Sequence, residues 1–183
     1  LLDKRALRAR MRAARDAFAM DGSQVIAPPP EYLERLAPGR VIASYVPLGS
    51  EADPSMLAWA ARERGCTLAL PFVIDRQQPI RFLIWDVDAP LVAGPLGLRQ
   101  PADDTPEAAP DIILTPLVAF DPALNRLGQG AGHYDRAFER HPAAWRLGIA
   151  FSVQQVPLLP ADPWDVPLHA ILTEQGLLMS PNR

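Results

Sequence analysis

Leu7, Met11, Ala14 and Phe18 recur at intervals of four, three and four, the apolar stripe of an amphipathic helix. On another face of that helix Lys4, Arg8 and Arg12 stack at i, i+4 spacing. Gly22 is the expected stop, and the APPP run at 27–30 blocks regular structure before a short helical piece, EYLERL. RVIASYV (40–46) then has the β-branched and aromatic content of a strand. Asp53 and Pro54 predict a helix start, with the aspartate as N-cap and the proline at N1. That helix runs through SMLAWAARER and stops at Gly65. CTLALPFV reads as a strand broken at Pro71, IRFLIWDV (80–87) as another, and residues 89–110 as a long loop.

DIILTP is a short, continuous apolar run, the pattern of a strand covered on both faces. RLGQGAGHYD (126–135) follows after an AFDPALN spacer, with no short strand expected to lead directly into it. HYDRAFERH is the next helix, and WRLGIAF (145–151) and LHAILT are the last strands. Strands alternating with helices, several of them continuously apolar, predict a three-layer α/β/α sandwich around a mostly parallel sheet. One domain over residues 1–183 is expected.

Composition narrows the function classes. A 49% hydrophobic and 21% charged chain is ordinary for a globular protein. No apolar stretch approaches the roughly 18 residues needed to cross a bilayer, and the basic N-terminus lacks a signal peptide's apolar core, so a cytoplasmic protein is expected. Cys66, the single cysteine, sits in an apolar run and reads as a buried, inert thiol. The net charge of −3 argues against general nucleic-acid binding. Yet Lys4, Arg5, Arg8, Arg10, Arg12 and Arg15 crowd the start of the chain. Local basicity in an acidic protein points to a confined anion site.

Gly128, Gly130 and Gly132 alternate within 126–135. The segment lacks the GK[ST] ending of a Walker A loop and the spacing of a dinucleotide fingerprint. Its glycines allow successive N–H groups to turn inward around an anion, the following helix start adds partial positive charge, and Arg126 adds a forked cation. A ligand-free glycine turn remains an equal reading of this segment alone. Asp135 suits a Mg²⁺ that bridges phosphates, and Asp165 is a candidate second carboxylate, although an ordinary loop aspartate is the simpler reading of Asp165 alone. Three loops leaving carboxyl ends of strands each carry an acid: Glu51, Asp135 and Asp165. His133, His141 and His169 do not share metal-ligand spacing, and His141 at a helix end suits the dipole as a partly positive imidazole. No serine lies in a G-x-S-x-G context, so a hydrolase triad is not indicated.

RLGQGAGHYDR, together with KRALR, YVPLGSEADP, LALPFV, GPLGLRQP, DIILTPLVAFD and DPWDVPLHAILTEQG, resembles the 5-formyltetrahydrofolate cyclo-ligase (5,10-methenyltetrahydrofolate synthetase) family over nearly the whole chain. The resemblance implies a fold akin to the sugar-phosphate isomerase and CoA-transferase group. It also implies conversion of 5-formyltetrahydrofolate and MgATP into 5,10-methenyltetrahydrofolate, ADP and phosphate. Lys4, Arg5 and Arg8 then match basic ATP contacts, and Arg126, Leu127, Gly128, Gln129, Gly130, Ala131, Gly132, His133 and Tyr134 match the phosphate-binding stretch. Asp135 and Asp165 match magnesium positions, with Arg126 and Asp135 the catalytic candidates. Val46, Glu51 and Trp85, with Gly130, Gly132 and Tyr134, match the folate side. The implied partners are these small molecules, with no nucleic acid or membrane, acting on a monomer.

The chain departs from the family pattern at Gln100, where glutamate is usual, and at Gln129, His133 and His169. At Gln100 the expected consequence is loss of a charged contact. Gln100 and His133 motivate an alternative, a nucleotide- or folate-binding homologue with little turnover. A ligase for a related metabolite is the other alternative.

Overall fold

The structure, a computed structural model, describes residues 3–22, 24–160 and 162–179. Helix α1 (Lys4–Ala19) is capped by Asp3, whose side chain accepts the Arg5 N–H at 2.9 Å. Chain order then gives α2 (Pro30–Leu33), β1 (Val41–Ala43), α3 (Ser55–Glu63), β2 (Thr67–Phe72) and β3 (Arg81–Ile84). These precede β4 (Val92–Ala93), β5 (Arg99–Gln100), β6 (Ile112–Pro116), β7 (Ala119–Phe120) and β8 (Arg126–Leu127). The series closes with α4 (His133–Arg140), β9 (Trp145–Ile149), β10 (Ala170–Thr173) and β11 (Gly176–Met179).

Seven strands form one sheet in the order β11-β10-β9-β6-β1-β2-β3. The five inner strands are parallel, and both edge strands, β3 and β11, pair antiparallel with their neighbours. The mostly parallel sheet expected from the apolar runs is therefore present, with antiparallel edges added. Alternation of side chains explains the layers. Ile42, Ile112, Leu114, Ala170 and Leu172 face a cluster containing Tyr32 of α2 and Leu57, Ala58 and Ala61 of α3. Ala43, Ile113 and Ile171 face the opposite cluster with Ala137 and Phe138 of α4. Each large aliphatic side chain buried this way contributes about 1.5–3 kcal/mol.

Several local expectations shift. Helix α3 begins at Ser55, with Asp53 accepting the Ser55 N–H at 2.8 Å, so the capping aspartate lies one residue earlier than expected. Its end follows the glycine rule: Gly65 has φ +75°, and the Gly65 and Cys66 N–H groups reach Arg62 and Ala61 carbonyls. Pro71 does not break β2. The register with β1 runs only from Thr67 to Ala69, so a missing N–H at 71 costs no bond to β1, and Pro71 pairs opposite Phe82. The long loop at 89–110 contains the β4–β5 hairpin.

Helix α1 departs most from its pattern. Its buried residues are Leu7, Met11 and Arg15, while Ala14 and Phe18 are half-buried. Leu7 and Met11 pack on Val118, Ala119 and Leu127, which sets the helix against the β7–β8 hairpin.

Candidate functional site

The strand order reverses between β1 and β6, and splayed connections leave a crevice beyond the carboxyl ends there. A cleft of about 540 Å³ opens at that place. Tyr45 and Val46 beyond β1, Pro71 and Val73 at the end of β2, and Pro116 at the end of β6 form its floor.

A short strand does lead into the glycine stretch, contrary to the sequence expectation. Arg126–Leu127 is β8, paired antiparallel with β7. Asp121 shapes the turn between them. Fully buried, its carboxylate accepts the N–H groups of Ala123 (3.0 Å) and Asn125 (3.1 Å) and the Asn125 side-chain amide (3.0 Å). The same carboxylate accepts the Leu159 N–H at 3.0 Å, which ties the hairpin to the loop carrying Asp165. The contacts to Ala123 and Asn125 are local, but the Leu159 contact spans 38 positions and leaves no trace in the sequence pattern.

Each glycine of the stretch has a local reason. A Cβ on Gly128 would come within 3.1 Å of the Arg126 guanidinium. Gly130 has φ +106° and Gly132 φ +67°, backbone that side-chain-bearing residues rarely adopt. Gly132 is also the N-cap of α4 and has no side chain to cap it, which leaves that helix start to other acceptors. Residues 126–135 all line the cleft.

The basic face of α1 docks on this stretch. Arg8 Nε donates to the Gly128 carbonyl at 2.8 Å, and Arg12 Nη2 donates to Gln129 Oε1 at 2.5 Å. Lys4 Nζ reaches Asp162 (2.6 Å) and Asp165 (3.1 Å). Burial disfavours the Lys4 charge, but its bonds to those two aspartates prevail and raise its pKa. Lys4 and Arg8 line the cleft, whereas Arg5 is exposed on α1 and Trp85 packs against the α2–α3 side of the sheet, so neither lies among the lining residues.

Glu51 and Val46 also line the cleft. Glu51 accepts the Leu48 N–H at 3.0 Å and the Gln129 amide at 3.1 Å, and Arg15 Nη1 lies 3.9 Å from it. This acceptor explains why an arginine occupies the buried stripe of α1: it provides the counter-charge to a carboxylate that is only 6% exposed. Tyr45 and Tyr134 flank this region. Burial first, then the nearby Glu51 charge, pushes both phenols well above their ordinary pKa, so both stay protonated.

Asp135 and Asp165 line the same cleft, each paired with a cation. Arg126 Nη2 lies 2.5 Å from Asp135 Oδ1, and the Arg126 guanidinium also stacks on Phe138 at 5.0 Å. Among the described residues no group of three or more His, Cys, Asp and Glu side chains could hold a metal alone. Two carboxylates in one cleft nevertheless suit Mg²⁺, which takes one or two protein oxygens and completes its shell with other oxygen ligands and water.

The departures from the family pattern acquire structural roles. Gln100 is 4% exposed and does not line the cleft; it accepts the Val73 N–H (3.0 Å) and donates to the Val73 carbonyl (3.3 Å). A carboxylate there could not make the second bond, so the expected loss of a charged contact is replaced by a two-way backbone clamp. His133 Nε2 lies 3.0 Å from the Asp75 carbonyl, and Arg136 donates to the Arg76 carbonyl at 3.1 Å, which fastens the β2–β3 turn over α4. His169 accepts the Arg146 N–H at 3.0 Å. Contrary to the dipole expectation, burial and Arg140 lower the His141 pKa and favour neutral imidazole. Cys66 is buried, its thiol pKa raised by burial, as an inert thiol should be.

Fold and cleft together define an α/β protein with a ligand-sized, charge-lined crevice at the switch point of a mostly parallel sheet. The 5-formyltetrahydrofolate cyclo-ligase family model matches residues 2–174, and the chain belongs to that family. It is 37% identical over 147 residues to a 5-formyltetrahydrofolate cyclo-ligase of Mycolicibacterium smegmatis, covering 74% of each chain. Against the Haemophilus influenzae enzyme of that name it is 40% identical over 97 residues, half of this chain and 52% of the relative. The chain thus spans about half the length of that relative. The NMR structure of Aquifex aeolicus 5,10-methenyltetrahydrofolate synthetase superimposes with a TM-score of 0.67 at 27% identity, covering 100% of this chain and 87% of that one. Among the described residues no helix is long and apolar enough to cross a membrane.

Proposed function

We propose that this protein is an ATP- and Mg²⁺-dependent cyclo-ligase that closes 5-formyltetrahydrofolate to 5,10-methenyltetrahydrofolate, releasing ADP and phosphate. The observation that carries the reading is that one cleft is lined by the glycine stretch, Lys4, Arg8, Asp135 and Asp165 and also by Glu51 and Val46. Two ligands of different chemistry, a polyanion and a flat heterocycle with N–H donors, have their complements there.

The formyl group on N5 is an amide whose oxygen is a poor leaving group. In the proposed reaction that oxygen attacks the γ-phosphorus of ATP, and the bond to the β–γ bridging oxygen breaks with its electrons going to ADP. The N10 lone pair then adds to the activated carbon. The C–O bond breaks, phosphate departs with that pair, and N10 loses its proton. The protein's task is alignment and charge neutralisation, and no protein nucleophile is required.

Inward N–H groups of Gly128 to Gly132, with Lys4 and Arg126, would hold the phosphates. Asp135 and Asp165 would hold the magnesium, which when bound neutralises phosphate charge. Glu51 would accept paired N–H donors of the pterin, beside the apolar surface of Val46. The binding-only alternative loses part of its motive, because Gln100 is engaged with Val73 rather than the cleft. The test is a mixture of protein, MgATP and 5-formyltetrahydrofolate monitored for the methenyl chromophore. ATP-dependent formation is the expected result, and its absence with folded protein would overturn the reading.

A further inference from the structure

The side chain of Gln129 links the glycine stretch to Glu51. Its backbone belongs to that stretch, while its side chain reaches an acid 78 positions earlier in the chain. Gln129 Oε1 accepts from Arg12 Nε (3.1 Å) and Nη2 (2.5 Å), and its Nε2 donates to Glu51 Oε1 at 3.1 Å. A neutral amide suits this position because it can accept from a guanidinium and donate to a carboxylate at once. A lysine or arginine there could donate to Glu51 but could not accept from Arg12.

The second element is Arg15. Its Nη1 lies 3.9 Å from Glu51 Oε1, and that nitrogen is buried without a hydrogen-bond partner among the described residues. Nη1 and the Gln129 amide therefore face the same carboxylate oxygen, and only the amide is within hydrogen-bond distance of it. With the amide in place, Glu51 keeps a neutral donor on Oε1 and the guanidinium stays at arm's length. If the amide withdraws, Arg15 can close on Oε1 and form a full ion pair. That pair would take lone pairs that an incoming ligand's N–H groups need.

From this arrangement we propose that Gln129 is a positioning residue that makes affinity for the folate-type ligand at Glu51 depend on phosphate occupancy of the glycine stretch. The inference rests on the functional reading above. Phosphate oxygens bound by the backbone around Gly128 and Gly130 fix the segment from which the Gln129 side chain projects. That in turn fixes the amide on Glu51 and holds off Arg15. The two ligands are coupled through one side chain, and the coupling is reciprocal.

The experiment measures 5-formyltetrahydrofolate dissociation constants by calorimetry, with and without a magnesium–β,γ-methylene-ATP complex. The same pair of measurements is made on Gln129→Leu and Arg12→Gln. In the native chain the analogue is expected to tighten folate binding by about fivefold or more, within the usual range of coupling between sites. Gln129→Leu should bring that ratio to about one, and Arg12→Gln should lower it, since the amide then loses its anchor. A purely structural role would alter stability and leave the ratio intact. A ratio near one in the native chain overturns the inference, as does a Gln129→Leu ratio equal to the native one. Should Gln129→Leu fail to fold, an unchanged ratio in Arg12→Gln overturns it. Failure of the native chain to bind 5-formyltetrahydrofolate under either condition overturns the functional reading and the inference together, which distinguishes the two failures.

Discussion

Arg126 and Asp135 bracket the glycine stretch, and their side chains meet at 2.5 Å across it. The cation that opens the stretch and the carboxylate that closes it neutralise each other. Lys4 likewise pairs with carboxylates of the cleft, one cation against both Asp162 and Asp165. In the proposed reaction each charge would exchange its protein partner for one of the opposite sign on the metal–nucleotide pair.

Asp135→Asn tests this directly. The amide can still accept from Arg126 but has lost the charge a hard cation requires. Turnover is expected to fall by on the order of a hundredfold, with the deficit largest at limiting Mg²⁺. Steady-state assays over a magnesium series check it, and near-normal rates at low magnesium would refute the role of this carboxylate.

Lys4→Ala removes a charge-assisted donor at the cleft. The KM for ATP should rise by about tenfold or more, with the KM for the folate substrate much less affected. Folding stability should change by less than about 1 kcal/mol, because this ion pair is partly solvated. Parallel ATP and folate titrations decide the matter; an unchanged ATP dependence counts against a phosphate contact from α1.

Asp121→Ala addresses how the cleft is held. Its carboxylate is fully buried and serves three backbone N–H groups and one amide, all left without that acceptor in the variant. A stability loss of about 3 kcal/mol is expected, measured by urea unfolding. A loss below about 1 kcal/mol would show that water or neighbouring groups replace the carboxylate.

The histidines set a pH dependence. Burial lowers the pKa of His133 and His141 below the ordinary 6.5. The unfolded chain then binds more protons than the folded one just below that value, so stability rises with pH in this window. It is lost as pH falls from about 6.5 toward the lowered folded-state values. Unfolding curves at roughly pH 7.5 and pH 5.5 should show the decline, and His133→Gln should reduce it. Identical slopes for both proteins would exclude His133 as a source.

Much of the framework was legible in the residues. Apolar runs such as DIILTP and alternating glycines are local signals, because strand burial and left-handed backbone impose their demands within a few positions. The i, i+4 spacing of Lys4, Arg8 and Arg12 likewise put three cations on one helix face. The failures were also local rules, overruled by neighbours far along the chain. Pro71 continues a strand because the β1 register ends at Ala69, and Arg15 is buried in an apolar stripe because Glu51 lies beside it.

The sequence by itself therefore determined the helices, the other strands of the main sheet and the layering, while β11 and the β4–β5 and β7–β8 hairpins emerged only in the structure. The tertiary structure also decided which side chains meet. Lys4 reaches Asp162 across 158 positions, Arg8 reaches Gly128 across 120, and Gln129 reaches Glu51 across 78. Such partnerships leave no periodic trace, since they follow from strand order and helix docking rather than from spacing. For the same reason Trp85 falls outside the cleft while Gln129, a departure from the family pattern, lines it and bonds Glu51.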